Sequence, residues 1–177
     1  CDGRQDLAVS SRSAEVLRIW YGDGSGNFYR DDAYAYFGIF EKCYPKIEKN
    51  KYVLNNTAIL KKYYSPKLNG IKHIGLTCSA SRLKEDEWGE MINKLARKIG
   101  PGGIIKPHPS FTATRDVFKK FKLKFKEVLG DSLEICPSDI FIEIEMLYEP
   151  KTLYGDQSSL ELFANHFGSV YKRIKLF

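Results

Sequence analysis

The chain has 177 residues, a size typical of one compact domain or of one domain and part of another. It is 43% hydrophobic and 28% charged, and its apolar runs are too short to predict a membrane span or a signal peptide. The net charge of +6 favours an anionic partner, whether a nucleotide phosphate, an acidic saccharide, a lipid surface or nucleic acid.

The four cysteines are scattered, with no CxxC pair and no histidine at ligand spacing. This pattern predicts neither a zinc site nor a dense disulfide scaffold, and it favours a reduced, cytoplasmic protein. Because the first residue is Cys1 and not methionine, we expect a longer protein whose N-terminal part precedes this sequence.

Residues 1–68 are predicted to be the C-terminal part of one domain followed by a linker. The stretch "EVLRIWYGDGSGNFY" (15–29) indicates a strand and a glycine-rich turn, and the residues after it follow no clear period. We interpret this part as the remnant of a second Rossmann-like domain.

Residues 69–177 alternate between strand-like and helix-like segments. The helix at 84–99 has acids first and bases last, which matches the helix dipole. Strands separated by helices of this length predict an α/β domain, a Rossmann-like parallel sheet with helices on both faces. The predicted strands are 72–80, 103–106, 133–136, 151–155 and 169–177, and the predicted helices are 84–99, 114–130, 138–147 and 158–167.

Unusual residues follow several of these strands, at the edge where open parallel sheets bind ligands. His108 lies between two prolines after the second strand, with Lys106 beside it. A protonated imidazole there can donate a hydrogen bond to a phosphate oxygen, and its pKa lies near neutrality. The alternative is a histidine in a stiff turn.

The fourth strand ends at Gly155, and the Ser158-Ser159 pair follows at the start of a helix. Hydroxyls and free amides at a helix start suit a phosphate, although such residues also serve as ordinary helix caps. Glu143, in the helix predicted after Pro137, has a carboxylate that can accept both hydroxyls of a ribose. The alternative places Glu143 and Glu145 on a solvent-facing surface.

Asp23 lies in the glycine-rich turn "WYGDGSG" (20–26), where a carboxylate can act as a general base. Asp-Gly is also a common turn dipeptide. The pattern is not GxGxxG and does not open a helix, so it does not predict a dinucleotide site.

Taken in order, "KPHP", "CPSDIFIEIEML" and "YGDQSSLELF" resemble the bacterial sialyltransferases of GT-B architecture, which include the lipooligosaccharide and capsular polysialic acid enzymes. That family carries an acid-acid-Gly motif, a His-Pro motif, a Pro-to-Glu stretch opening a helix and a Ser-Ser pair. The resemblance covers roughly residues 15–30 and 71–170.

The resemblance implies roles for individual residues. It assigns the general base to Asp23, stabilisation or protonation of the departing CMP phosphate to His108, ribose recognition to Glu143 and phosphate contact to Ser158 and Ser159. The neighbouring motif residues complete the expected donor site: Lys106, Pro109, Pro137 and Gly155. One departure is that the acid-acid-Gly motif stands here as Gly22-Asp23-Gly24, with only the second acid.

The expected activity is therefore an inverting, metal-independent transfer of sialic acid, or a related keto-sugar acid, from its CMP donor to a glycan or glycolipid hydroxyl. No cofactor is expected, and no DxD metal motif is present. The alternatives are a transferase that uses CMP-Kdo, a teichoic-acid-type polymerase and a non-catalytic nucleotide-binding module.

The helix at 114–129 carries five lysines around a phenylalanine stripe. This pattern indicates a solvated face around a core-packing side, or a contact with anionic lipid or an anionic glycan acceptor. The second interpretation predicts a protein at the inner face of the plasma membrane. Nucleic acid is not expected as a partner, because no reader motif or aromatic platform accompanies the lysines.

Overall fold

The computed structural model describes residues 7–10, 18–21, 36–38, 51–53 and 57–176. The chain forms two compact units, and the division between them along the sequence falls between Tyr64 and Ser65. The predicted boundary after residue 68 falls a few residues beyond this division.

The described part of the N-terminal unit contains four short strands and one helix: β1 Leu7–Ser10, β2 Arg18–Tyr21, β3 Tyr36–Gly38, β4 Lys51–Val53 and α1 Ala58–Tyr63. Strands β1 and β2 pair antiparallel, and β3 and β4 pair in parallel. Strand β2 corresponds to the strand predicted before the glycine-rich turn. The turn itself lies outside the described residues, and the Rossmann-like remnant stays a prediction.

The second unit is an α/β domain. Two single turns of 3-10 helix, Ala80–Arg82 and Glu85–Glu87, precede its first long helix. Its strands and helices are β5 His73–Leu76, α2 Trp88–Ile99, β6 Ile104–Lys106, α3 Pro109–Thr112, α4 Arg115–Leu129, β7 Glu134–Ile135, α5 Ile142–Tyr148, β8 Thr152–Gly155, α6 Leu160–His166 and β9 Val170–Arg173.

The five strands of this unit form one parallel sheet in the order β7-β6-β5-β8-β9. From the central strand β5 the chain moves outward to β7, returns to the other side of β5 and moves outward again to β9. The order therefore reverses between β5 and β8. The parallel sheet with intervening helices confirms the α/β prediction.

Both faces of the sheet are covered. In the register, Ile74 lies opposite Ile104 and Leu153, and all three are buried. Gly75, the next residue, faces α2, where a Cβ would lie 3.3 Å from the Leu95 side chain. Because successive residues of a strand point to opposite faces, helices must cover the sheet on both sides.

The core beside α2 is built from aromatic rings. Phe111 of α3 is fully buried, with its ring centroid 4.9 Å from that of Trp88 and 4.6 Å from that of Phe121. Helix α4 begins after Thr114, whose hydroxyl accepts the Val117 N–H. Its buried Phe121 and Phe125 confirm the predicted phenylalanine stripe. The short helix α3, which the sequence analysis did not predict, is anchored in this core by Phe111.

The predicted elements differ in length from the observed ones, most clearly in two strands and one helix. The strand predicted at 72–80 ends at Leu76, and the last strand ends at Arg173. The helix predicted from residue 138 begins only at Ile142. Residues 137–140 instead form a turn, in which the Ile140 N–H donates to the Pro137 carbonyl. Side-chain contacts to this turn, described below, explain the late start.

Candidate functional site

The carboxyl ends of β5, β6 and β8 lie side by side, and the reversal of strand order lies between β5 and β8. Open parallel sheets bind ligands at such a reversal. We call the segments that leave these three ends, residues 77–82, 106–110 and 155–159, the carboxyl-edge site. The resemblance had assigned roles to residues on the second and third of these segments.

His108 is held rigidly at this edge. Its backbone N–H donates to Thr77 Oγ1 at 2.7 Å, which ties the end of β6 to the end of β5. It is also the N-cap of α3, with Pro109 at the first helical position, where a missing N–H costs nothing. Because Phe111 anchors α3 in the core, the frame around His108 is fixed from both sides.

The hydrogen bonds of the His108 ring define its protonation state. Nδ1 accepts the Ser110 N–H at 3.1 Å and lies 2.9 Å from Ser110 Oγ. Ser110 Oγ already accepts the Ala80 N–H at 2.8 Å and the Ser79 hydroxyl at 3.2 Å, so its own proton points to Nδ1. A nitrogen that accepts carries no proton, and the ring is therefore a neutral imidazole with its proton on Nε2.

Nε2 makes no hydrogen bond within the part of the chain that the structure describes, so its N–H can serve a ligand. Burial lowers the pKa of His108 from its ordinary value, which favours the neutral ring. The sequence-based expectation of a protonated donor is thereby refined. At neutral pH the structure offers an Nε2–H donor without a positive charge.

This lowered pKa predicts a pH dependence of stability. Between the ordinary pKa of about 6.5 and the lower folded value, the unfolded chain binds more protons, so His108 destabilises the fold as the pH falls. His108→Asn keeps a capping acceptor but does not titrate. We expect the wild type to lose more free energy of unfolding than this variant when the pH is lowered from about 7 to about 5. Urea unfolding at both pH values, followed by fluorescence, measures the difference; equal losses contradict the prediction.

Lys106 supports the loop that follows β7. Its ammonium donates to three carbonyl oxygens, those of Pro137 at 2.7 Å, Ser138 at 3.1 Å and Ile140 at 2.9 Å. An ammonium has three protons, so these bonds use its whole donor capacity. Because these carbonyls accept hydrogen bonds from Lys106, they do not form the first hydrogen bonds of a helix. This explains why α5 begins at Ile142. In this arrangement the Lys106 ammonium fixes the loop after β7 and has no proton left to donate to a ligand.

Glu143 and Glu145 on α5 do not lie on a fully solvent-facing surface, which was the alternative interpretation. Glu143 is half-buried, and burial raises its pKa, an effect that its own backbone N–H and the Lys106 charge oppose. Glu145 is buried, and its two carboxylate oxygens accept the backbone N–H groups of Lys67 and Leu68 at 2.8 and 3.0 Å. Glu145 therefore holds a loop in place, and Glu143 is the carboxylate available near the turn at 137–140.

The segment after β8 packs closely. A Cβ on Gly155 would lie 2.9 Å from the Tyr171 hydroxyl and 3.2 Å from the Leu76 carbonyl, so a side chain here would force these neighbours to shift. The Tyr171 hydroxyl donates to the Asp156 carbonyl. Ser158 Oγ accepts the N–H of Leu160, the first residue of α6, at 3.2 Å.

Ser159 is the N-cap of α6, and it makes no side-chain capping bond to that helix. Its α6 neighbour, Glu161, is bound by Arg173 at the exposed edge of the sheet. The serine pair thus lies at the helix start, as predicted. The proposed phosphate contact stays a prediction.

The first segment of the carboxyl-edge site, "TCSASR" (77–82), was missed by the sequence reasoning, which assigned most of it to a strand. Its hydroxyls join the His108 network, and Ser79 Oγ also lies 2.9 Å from Ser81 Oγ. Arg82 Nη1 lies 3.7 Å from Asp156 Oδ2, which connects this segment to the one after β8. A hydroxyl-rich stretch between a buried strand and a helix was the available signal.

Asp23, the predicted general base, lies outside the described residues, together with the glycines on either side of it. Two cysteine thiols lie near the carboxyl edge of the sheet, and their burial makes them unreactive. Cys78 and Cys136 are free thiols, and burial raises the pKa of each to about 11, so neither forms a thiolate at neutral pH.

Within the described residues, no three histidine, cysteine, aspartate or glutamate side chains come together as a metal site. None of the helices described there has the length and apolar character to cross a membrane. Comparisons of the chain with family models, with curated proteins and with solved structures found no match.

Proposed function

We propose that the chain is the donor-binding part of an inverting GT-B glycosyltransferase. It transfers sialic acid, or a related keto-sugar acid, from its CMP donor to a hydroxyl of a cell-surface glycan or glycolipid, and it works in the cytoplasm. The observation that carries this proposal is His108, a rigid neutral imidazole at the carboxyl edge of a parallel sheet, whose Nε2–H makes no hydrogen bond to the described residues.

In the proposed reaction, an acceptor hydroxyl attacks the anomeric carbon of the donor sugar. The bond from that carbon to the phosphate oxygen breaks, and its electron pair leaves with CMP. The Nε2–H of His108 donates to the phosphate oxygen on which negative charge develops. The hydroxyl proton passes to a base, for which Asp23 is the candidate.

The remaining residues bind the donor. Glu143 accepts the ribose hydroxyls, and Ser158 and Ser159 contact the phosphate. Lys106 acts indirectly, since it fixes the turn beside Glu143 through three carbonyls. The transfer needs no divalent metal in principle, because the leaving group has a single phosphate.

CMP binding to the full chain, measured by calorimetry, tests the proposal. His108→Ala is expected to raise the Kd for CMP about tenfold, because it removes one hydrogen bond to a charged phosphate. His166→Ala is the matched control, since this exposed histidine ends α6 at the opposite edge of the sheet and its loss should leave the Kd unchanged. A folded chain that does not bind CMP contradicts the donor-site assignment.

Turnover separates the alternatives. Release of CMP from CMP-sialic acid in the presence of acceptor supports the transferase. Turnover of CMP-Kdo alone, or of a teichoic-acid precursor alone, identifies one of the other enzymes. CMP binding without release from any donor identifies a nucleotide-binding module.

A further inference from the structure

Helix α4 has two unlike sides. One side packs into the core through Phe121 and Phe125, with Phe118, Val128 and Leu129 partly buried beside them. The other side carries four exposed cations at positions i, i+4, i+7 and i+11. We call them the basic stripe: Arg115, Lys119, Lys122 and Lys126. Apart from Lys122, which is exposed beside the Phe118 ring, these side chains point away from the core.

This spacing places the four cations along one line of the helix, because residues three or four apart lie on the same face. Eleven residues of α-helix span about 16 Å. The stripe begins at Arg115, soon after α3, and runs away from the carboxyl edge of the sheet. It is therefore a surface separate from the carboxyl-edge site.

The other two lysines of α4 form ion pairs. Lys120 binds Glu85 at 2.8 Å, and Lys124 binds Glu127 at 2.8 Å. None of the four stripe cations forms an ion pair within residues 57–176, and Lys122 rests over the Phe118 ring with its Nζ 4.8 Å from the centroid. Besides Glu127, the carboxylate of α4 is Asp116, which lies next to Arg115 and three positions before Lys119. The stripe therefore keeps an excess of positive charge on this face of α4, four cations against one carboxylate.

An exposed apolar side chain lies beside the basic stripe. Leu123 lies next to the stripe on the same exposed side, and 62% of its surface is open to solvent. A soluble polyanion can use only the cations. A lipid surface uses both, since its headgroups carry the negative charge and the leucine enters the boundary beneath them.

We propose that the basic stripe and Leu123 form a docking surface for an anionic lipid bilayer. The helix lies flat on the membrane, with the four cations at the headgroups and Leu123 between them and the acyl chains. This inference rests on the surface of α4 and goes beyond the proposed transferase activity, so either can fail without the other.

Cosedimentation of the full chain with vesicles that contain phosphatidylglycerol, and with vesicles of phosphatidylcholine alone, tests the proposal. Binding is expected only to the first, and it should fall steeply with added salt. The triple variant Lys119→Gln, Lys122→Gln, Lys126→Gln should bind about 100-fold more weakly, because each basic residue contributes independently near the surface. The matched control is Lys98→Gln, Lys172→Gln, Lys175→Gln, three exposed lysines outside α4.

Both triple variants lower the net charge of +6 by three, so net charge alone cannot separate them. Equal losses of binding in the two variants overturn the proposal. Leu123→Ser is expected to weaken vesicle binding several-fold and to leave binding to soluble dextran sulfate unchanged. The proposal is also overturned if this variant binds vesicles as well as the wild type does. It is overturned as well if the wild type binds dextran sulfate but not vesicles. Either result points to a soluble anionic polymer as the partner.

Discussion

Replacement of Glu145 by alanine is expected to lower the free energy of unfolding of the second unit by about 4 kcal/mol. The carboxylate is 1% exposed and accepts the N–H groups of Lys67 and Leu68. Alanine removes the partner of both donors, of which the Leu68 N–H is buried and the Lys67 N–H is partly buried. A buried donor without a partner costs about 1–3 kcal/mol, and a partly buried one costs less. The Leu68 carbonyl is bound in turn by the buried Lys151 ammonium, so the loop at 67–68 is held from two sides.

Urea unfolding measures this effect. In a Trp20→Phe background the buried Trp88 is the single tryptophan, and its fluorescence reports on the second unit. Glu143→Ala, two positions earlier on the same helix, is the matched control, and its expected change is below about 1 kcal/mol. Similar losses for the two variants would show that the carboxylate of Glu145 has no special part in holding the loop.

The parts of the fold that the sequence predicted are those determined by local chemistry. Helices α2 and α4 have long apolar stripes, and Thr114 caps the second of them. The strands follow from short apolar runs between helices, and the parallel sheet follows from their alternation. These features need no knowledge of distant contacts, because each is written in ten to fifteen consecutive residues.

The features that were missed depend on contacts between distant residues. The late start of α5 results from Lys106, which lies 31 positions before Pro137. The burial of Glu145 results from backbone groups 77 and 78 positions away. No local pattern distinguishes a helix carboxylate that holds a remote loop from one that faces water.

The candidate site shows the same division. His108 was predicted from its two prolines, and the structure places it at the expected edge of the sheet. Its neutral state was not predicted, because it depends on Ser110 and on the segment at 79–80, some 30 positions earlier. The sequence could indicate the candidate residue, whereas the position of the proton on that residue is determined by tertiary contacts.

The sheet reverses its strand order where β5 and β8 meet, and the close contact at Gly155 holds the two strand ends together there. The Leu76 carbonyl and the Tyr171 hydroxyl occupy the space that a Cβ would need. Neither atom can move freely, since the first belongs to a central strand and the second donates to the Asp156 carbonyl. A side chain at position 155 is therefore expected to push Leu76 of β5 and Tyr171 of β9 away from β8.

Gly155→Ala is accordingly expected to lower the free energy of unfolding by about 3 kcal/mol, at the upper end of the cost of overpacking. Gly89→Ala is the control with the opposite sign. There, in helix α2, the new Cβ meets side chains at an ordinary 3.4 Å, and alanine should stabilise the helix by about 0.5–1 kcal/mol. Urea unfolding of both variants, followed through Trp88, gives the two changes. A neutral or stabilising Gly155→Ala would mean that β5 and β8 can separate at little cost. The carboxyl edge would then lack the rigidity on which the proposed function of His108 depends.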